Sequence, residues 1–457
     1  MSRKRRKVDA ARIAAAKVIR AVTFDNAFSN ESAAFHLASP ELDARDKSFA
    51  SAIIYGTLSY LPTIDYFIAK ASSRPLEALE PSVLTALRMG VWQLFFSYHV
   101  PSRAAVDESV NVARFFSGER ATGFVNAVLR KLTRQKPELP KGEQQALELG
   151  LSRELFTMLA HWYGEEDAIA IGRHSLTSPD YMSIRMNAMK ADLFERWTSS
   201  EEAKTLQLRQ LPWPDCAYGV EPSGTDVTQS QAYRDGLFSL QSQSAMLVGL
   251  FSRVLPDDRV LDLCAAPGGK LMHIAELKGN VRDLVACDQS EERLLSLTAM
   301  AERLGFGDIE QHCLDATLHH DLFNDAFDIV LCDVPCTGLG LLQKRPEIRS
   351  RVTAQVAERL LPIQRSILAN GSRAVVVGGL LIYSTCTINP DENEEQVKAF
   401  LASKDGEAFE LIHFNLASSV FHGDDTALQS RLPGTLLLLP HLCRSDGFFI
   451  ALMRRMR

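Results

Sequence analysis

The sequence predicts a multidomain chain: an all-α domain over residues 1–140, a small α+β segment over 141–235, and an α/β domain over 236–457. Three observations predict this. Apolar residues recur at helical spacing from 8 to 135. A polar stretch with two prolines, "QKPELPKGEQQ" (135–145), then breaks the pattern and reads as a linker. From about residue 236, continuous apolar runs alternate with helical segments, which implies βαβ units and a parallel sheet covered on both faces.

Along the N-terminal part, Ala14, Val18 and Ala21 share one helical face, as do Leu84, Leu87, Val91 and Leu94, and as do Val106, Val110 and Ala113. Pro62, Pro75, Pro81 and Pro101 punctuate the breaks, where a missing N–H does least harm at a helix start. Phe124, Val125, Val128 and Leu129 give the last helix of this group, ending in "LRKLTRQK". In the middle segment, "SIRMNAMK" (183–190) alternates like a strand and "ADLFERW" follows as a helix; "LPWPDCAYGVEPSGTD" is rich in turn residues. In the last part, "RVLDLC" (259–264), "DLVACD" (283–288), "DIEQHCL" (308–314), "FDIVLCD" (327–333) and "AVVVGGLLIYST" (374–385) read as strands. "EERLLSLTAMAERLG" and "RVTAQVAERLLPIQRSILANG" are the clearest helices between them, and "DGFFIALMRR" (446–455) is expected as a final edge strand.

The totals exclude several classes. A hydrophobic fraction of 46% and a charged fraction of 23% argue against wholesale disorder. The basic start is followed by Lys17 and Arg20, which interrupt any signal-peptide core, and "TLLLLP" from Thr435 is too short to span a bilayer. Eight cysteines, at 216, 264, 287, 313, 332, 336, 386 and 443, then point to free thiols in the cytoplasm, with no membrane association. None has Cys-x2-Cys spacing, so no metal site is expected. Residues 1–140 hold 20 Lys+Arg against 13 Asp+Glu, on a chain with a net charge of −6. That asymmetry fits a polyanion held by the basic region, or equally a solubilising basic tail.

The chemistry-bearing residues cluster at strand ends. The first strand runs into "CAAPGGK", Cys264, Ala265, Ala266, Pro267, Gly268, Gly269 and Lys270, then a helix. Small residues there let the backbone pass close to a ligand, with a helix N-terminus behind it. The second strand ends in Asp288, where an acid can accept from ribose hydroxyls; Asp315 follows the third, and Asp333 ends the fourth. Ligands of open α/β sheets sit beyond those strand ends. The spacing is neither a P-loop nor a full GxGxxG. Cys336, in "DVPCTGLG", lies on a proline-fixed loop after the fourth strand, and Cys386 ends the fifth. Fourth and fifth strands of such a sheet are neighbours, so both thiols should face one crevice, which suggests chemistry at carbon. Cys287, Cys313 and Cys332 lie inside strands and read as small buried hydrophobes.

"LDLCAAPGGK", "DVPCTGLG", "KRPEIR" and "YSTCTINPDENEEQV" together resemble the motifs of the Sun family of S-adenosylmethionine-dependent RNA cytosine-5 methyltransferases, and "SIRMN" resembles that family's Arg-x-Asn segment. "IIYGTLSYLPTIDYFI", "LRMGVWQLFF", "VPSRAAVDESVNVAR" and "GFVNAVLRKL" resemble the NusB-like helical domain of its bacterial 16S ribosomal RNA members. The chain departs from the pattern at "LQSQSAM", where an acid usually follows the first Gln, and at Thr387, where Ser is common. The resemblance implies a Rossmann-like class I methyltransferase domain, S-adenosylmethionine over 264–270 with Asp288 on the ribose and Asp315 near the adenine, and action on ribosomal RNA; a monomer is the expectation, although the sequence does not fix oligomeric state. The resemblance makes Cys386 the nucleophile, gives Cys336 a role in product release, and sets Asp333 against the cytosine and the cofactor. Thr385, Thr387 and Ser384 hydroxyls, with a helix beginning near Pro390, are expected to support the Cys386 thiolate. Arg185, Asn187, Lys344 and Arg345 are candidate RNA contacts, against a reading as exposed solubilising polar groups. Transfer RNA or large-subunit RNA as substrate, and a non-catalytic RNA-binding assembly factor, are the alternatives.

Overall fold

A computed structural model describes residues 9–221, 226–412 and 430–457. Two compact units make up the chain: residues 1–177 with 342–353, and residues 178–341 with 354–457.

The first unit is helical. Its helices begin where the prolines predict: Pro81 opens Pro81–Phe95, Pro62 is the second residue of Leu61–Ala71, and Pro101 caps Ser102–Ser117. The apolar faces meet in one core that includes Val18, Ile53, Ile54, Phe67, Leu84, Leu87, Val91, Val125 and Leu129. This unit extends past the expected boundary at 140. Helices Arg153–Tyr163 and Glu165–His174 also belong to it, burying Leu155, Leu159, Ala168 and Ile171.

Residues 342–353 belong to it as well, although the sequence assigns them to the α/β part. The polar side chains of this strap account for the assignment. Arg349, with no solvent exposure, donates from Nη1 to Leu149 O at 2.8 Å and from Nη2 to Ser175 Oγ at 2.6 Å. Glu347 Oε1 accepts from Ser29 N, and Arg351 donates to the carbonyls of Val22 and Ala27. The Arg345 guanidinium lies 5.1 Å from the centroid of the Phe28 ring, while Lys344 is exposed.

The second unit carries two sheets. The smaller is antiparallel, with β1 (Met182–Met186), β2 (Arg209–Gln210), β3 (Ala217–Val220) and β4 (Phe238–Leu240) in the order β2-β3-β1-β4. The α+β segment therefore starts at 178 and clusters with the larger sheet instead of standing as a separate domain over 141–235. The larger sheet contains β5 (Val260–Asp262), β6 (Leu284–Asp288), β7 (Glu310–Cys313), β8 (Phe327–Asp333), β9 (Val375–Thr385), β10 (Phe409–Leu411), β11 (Thr435–Leu438) and β12 (Phe448–Arg455). Their order is β10-β12-β9-β8-β5-β6-β7, with β11 also on β12. Strands β5 to β9 are mutually parallel, and β12 runs antiparallel to β9.

Two expectations change here. Strand β12 is not an edge: short β10 and β11 pair along its outer side, so its residues from Phe448 to Met453 are all buried. Cys313 is not a core residue either, because β7 is the edge of the sheet and leaves its thiol exposed. Cys287 and Cys332 are buried as expected, and all eight cysteines are free.

The chain passes outward from β5 through β6 and β7 on one side, then returns to β8 and β9 on the other. This reversal opens a crevice beyond the carboxyl ends of β5, β6 and β8.

Candidate active site

Strand register levels the two cysteine loops. In the parallel pair β8 and β9, Cys332 stands opposite Tyr383 and Asp333 opposite Ser384. Cys336 follows three residues after Asp333 and Cys386 two residues after Ser384, so both thiols emerge at the same rim. Their Sγ atoms lie 3.3 Å apart. Cys386 O accepts from Gly340 N at 3.0 Å, tying one loop to the other. Only glycine fits at 340, where a Cβ would stand 2.0 Å from Gly447 O.

The pair is electrostatically unequal. Hydrogen bonding to Cys386, burial, and negative charge at Cys386 and Glu392 all push the Cys336 thiol well above the ordinary cysteine range. Either sulfur can be the donor across the 3.3 Å contact. Lys270, half-buried at the start of helix Gly269–Lys278, ion-pairs with Asp333. Burial works against its ammonium, but attraction and hydrogen bonding to Asp333, with negative charge at Cys386 and Asp262, leave its pKa raised. The ammonium thus favours thiolate at Cys386.

The hydroxyls expected to support that thiolate are committed elsewhere. Ser384 Oγ donates to Asp333 Oδ1 at 2.8 Å, and Thr385 Oγ1 to Asn393 Oδ1 at 2.6 Å. Thr387 Oγ1 meets Thr337 Oγ1, whose own proton goes to Glu392. They shape the loop and leave the charge to Lys270. The helix expected near Pro390 starts at Glu394, after a 3-10 turn over Pro390–Glu392.

On the other side of the crevice, Ala265 and Ala266 are buried, Cys264 is half-buried with its pKa raised by burial and by Asp262, and Pro267 is exposed. Gly268 takes a left-handed φ of 111° that caps helix Gly269–Lys278. A Cβ on Gly269 would find open space, its nearest neighbour being Gln241 Nε2 at 4.0 Å. Asp288, 3% exposed, accepts from Ala266 N and Ser290 N and pairs with Arg293 at 3.1 Å. Asp315 is exposed beyond β7, and its hydrogen bonds from Thr317 hold its carboxyl below the usual range. An open backbone cradle with acids at successive strand ends suits a nucleoside-type ligand.

Two polar residues of the smaller sheet are placed differently from expectation. Arg185 and Asn187 are fully buried and do not face RNA. Arg185 forms a two-pronged pair with Glu276, at 2.7 and 3.0 Å, and donates to Gly269 O at 3.1 Å and to Gln241. Asn187 donates to Gly236 O and Leu304 O. Arg185 braces the cradle from behind through Gly269 O, while Asn187 ties the small sheet to the end of helix Glu291–Leu304.

Sequence reasoning missed Asp262 and Glu392. Asp262 ends β5, 1% exposed; burial, opposed only in part by the Cys264 N–H and Lys270, pushes its pKa up to about 7. An acid inside an apolar strand was the available signal. Glu392 is fully buried and accepts from Thr337 N, Thr337 Oγ1, Gln364 Nε2 and Asn389 Nδ2.

Residues 253–454 match the family described as 16S rRNA methyltransferase RsmB/F, and residues 9–134 match the NusB family. A probable ribosomal RNA small subunit methyltransferase B of Bacillus subtilis is 31% identical, over 94% of this chain and 95% of that protein. The chain belongs to the RsmB/F family of 16S rRNA methyltransferases. The ribosomal RNA small subunit methyltransferase B of Pseudomonas putida is 29% identical, over 86% of this chain and 89% of its own. Among solved structures, PH0851 superimposes with a TM-score of 0.85 at 23% identity, covering 99% of this chain and all of its own. NSun6 from Pyrococcus horikoshii, solved with SFG, gives 0.59 at 21% identity, covering 67% of this chain and 98% of its own. These two share the fold. As an RsmB/F methyltransferase, the chain acts on RNA and takes its methyl group from S-adenosylmethionine. Among the described residues no helix is long and apolar enough to cross a membrane. Also among them, no group of three or more His, Cys, Asp or Glu side chains could hold a metal ion.

Proposed function

We propose that the protein methylates carbon 5 of a cytosine in 16S ribosomal RNA through a covalent cysteine adduct, acting in the cytoplasm. The observation that carries this reading is the 3.3 Å approach of Cys336 Sγ and Cys386 Sγ beyond neighbouring parallel strands. Bound S-adenosylmethionine supplies the electrophilic methyl group and leaves as S-adenosylhomocysteine. The 264–270 backbone, Asp288, Asp315 and Asp333 are the residues that would hold it.

Carbon 5 of cytosine is a weak nucleophile. Addition of Cys386 Sγ to carbon 6 breaks the 5,6 double bond and makes carbon 5 enamine-like, splitting one hard step into two easier ones. Lys270 favours the attacking thiolate. Asp333, oriented by Ser384 and Lys270, would accept from the exocyclic amine, or from N3 once N3 carries a proton, and so hold the base as the sulfur adds. Once carbon 5 carries the methyl group, its remaining proton leaves to Cys336, which must first give up its own proton to solvent, or to a water that Cys336 positions; the double bond re-forms, and the C6–S bond breaks to return Cys386 as thiolate. The base must leave its stack to reach the crevice, so an unpaired or loop cytosine fits best.

The two thiols have separable roles, which gives the test. Cys386→Ala should abolish methyl transfer and form no adduct. Cys336→Ala should form an RNA adduct that survives denaturing electrophoresis. Full turnover by Cys386→Ala would refute the assignment.

A further inference from the structure

The loop carrying Cys336 is held on both sides of the thiol by one buried carboxylate. Thr337, directly after Cys336, gives Glu392 its backbone N–H at 2.9 Å and its hydroxyl. Pro335, directly before it, offers its carbonyl to Gln364 Nε2 at 3.0 Å, and the same amide reaches Glu392 Oε1 at 2.9 Å. The fourth donor, Asn389 Nδ2 at 3.0 Å, comes from the loop after Cys386. Glu392 is itself fixed from behind, since Tyr383 donates to its carbonyl at 2.6 Å.

Cys386 has other anchors. Thr385 donates to Asn393 Oδ1, and Asn393 Nδ2 reaches Thr387 O at 3.0 Å, so both residues flanking Cys386 are held from outside the Cys336 loop. Removing Glu392 would therefore free the Cys336 loop first.

We propose that Glu392 is a positioning residue for the second half of the reaction: it sets Cys336 for proton removal from carbon 5, without touching the base. This rests on the covalent reading above. Four donors converge on the two carboxylate oxygens, which is the full complement a carboxylate can accept side-on, so no proton is needed for satisfaction.

Glu392→Gln conserves shape but turns an amide NH2 toward two donors. If it replaces Oε2, the Thr337 hydroxyl can rotate, but Asn389 cannot flip without giving up its Oδ1 bond to Asp391 N. If it replaces Oε1, it faces the Thr337 N–H, which cannot rotate at all. Either arrangement loosens the Cys336 loop.

The test uses full-length protein, labelled S-adenosylmethionine, and 16S ribosomal RNA isolated from a strain lacking this gene. Glu392→Gln should lower kcat by about 10²-fold, the scale of an ångström-sized misplacement. KM for S-adenosylmethionine should stay within about two-fold, and the denaturation-resistant adduct should accumulate as it does in Cys336→Ala. Thr337→Val, which keeps side-chain shape and removes one donor, should give the same pattern more weakly; it serves where Glu392→Gln fails to fold. A Glu392→Gln/Cys386→Ala double variant should form no adduct. The inference is overturned if folded Glu392→Gln turns over normally, or if kcat and cofactor affinity fall together with no adduct. In those cases Cys386→Ala and Cys336→Ala still report on the covalent reading by themselves; methylation by Cys386→Ala sinks that reading first.

Discussion

Arg185→Met tests how the cofactor cradle is braced. Arg185 and Glu276 have side-chain exposures of 0% and 1%, and the two-pronged pair leaves no route for water to replace the guanidinium. Breaking a buried pair by removing one partner leaves an uncompensated charge and costs about 3–5 kcal/mol. At roughly 2–4 °C per kcal/mol for a unit of this size, the second unit should melt roughly 6–20 °C lower. Arg185→Met/Glu276→Leu removes both charges and should recover most of that loss. It should not recover the bond from Arg185 to Gly269 O, so S-adenosylmethionine should bind about ten-fold more weakly, a loss of about 1.4 kcal/mol. Scanning calorimetry and equilibrium dialysis with labelled cofactor measure the two effects separately. A single variant melting within about 2 °C of wild type, below the shift from 1 kcal/mol, would refute the reasoning. So would a double variant as unstable as the single one.

Two further outcomes follow from the site. The Asp262 carboxyl titrates near 7 when folded and at the ordinary 3.8 when unfolded, so the folded state binds the extra proton between those values. Its contribution to stability is complete below pH 3.8 and falls by about 4 kcal/mol as pH rises to 7. Asp262→Asn should therefore melt increasingly above wild type across that window; a constant difference would disprove the assignment. Gly340→Ala places a methyl group against Gly447 O and strains the contact that holds Cys386 O. We expect about 1–3 kcal/mol of destabilisation and slower methyl transfer with cofactor affinity unchanged. Single-turnover assays compared with dialysis check this, and unchanged single-turnover rates would count against it.

What the sequence made legible follows from how local each signal is. Strands β5, β6, β8 and β9 stand out because both of their faces are covered along most of their length, so most of their residues are apolar; edge strand β7 is polar and partly exposed. The thiols at 336 and 386 were readable because parallel strands in one sheet must end at one rim. Arg185 and Asn187 were misread because a polar residue in an alternating strand looks solvated; the partner that buries Arg185, Glu276, is 91 residues away. Glu392 was hidden among the acids of "PDENEEQV", where only three-dimensional packing separates the buried carboxylates of Glu392 and Glu394 from exposed Asp391 and Glu395. The expected edge position of β12 failed because three-residue β10 and four-residue β11 carry too little pattern to be seen as its partners.

The strap formed by residues 342–353 has a consequence for synthesis. The helical unit lacks Glu347 and Arg349 until the ribosome has passed them, so Leu149 O, Ser175 Oγ and Ser29 N must wait for partners encoded far downstream. At about 5–20 residues per second, the stretch from 178 to 353 takes roughly 10–35 s to emerge. During that interval the N-terminal helices exist only as an unfinished nascent fold, and its last piece arrives after β8 and the Cys336 loop have already left the exit tunnel.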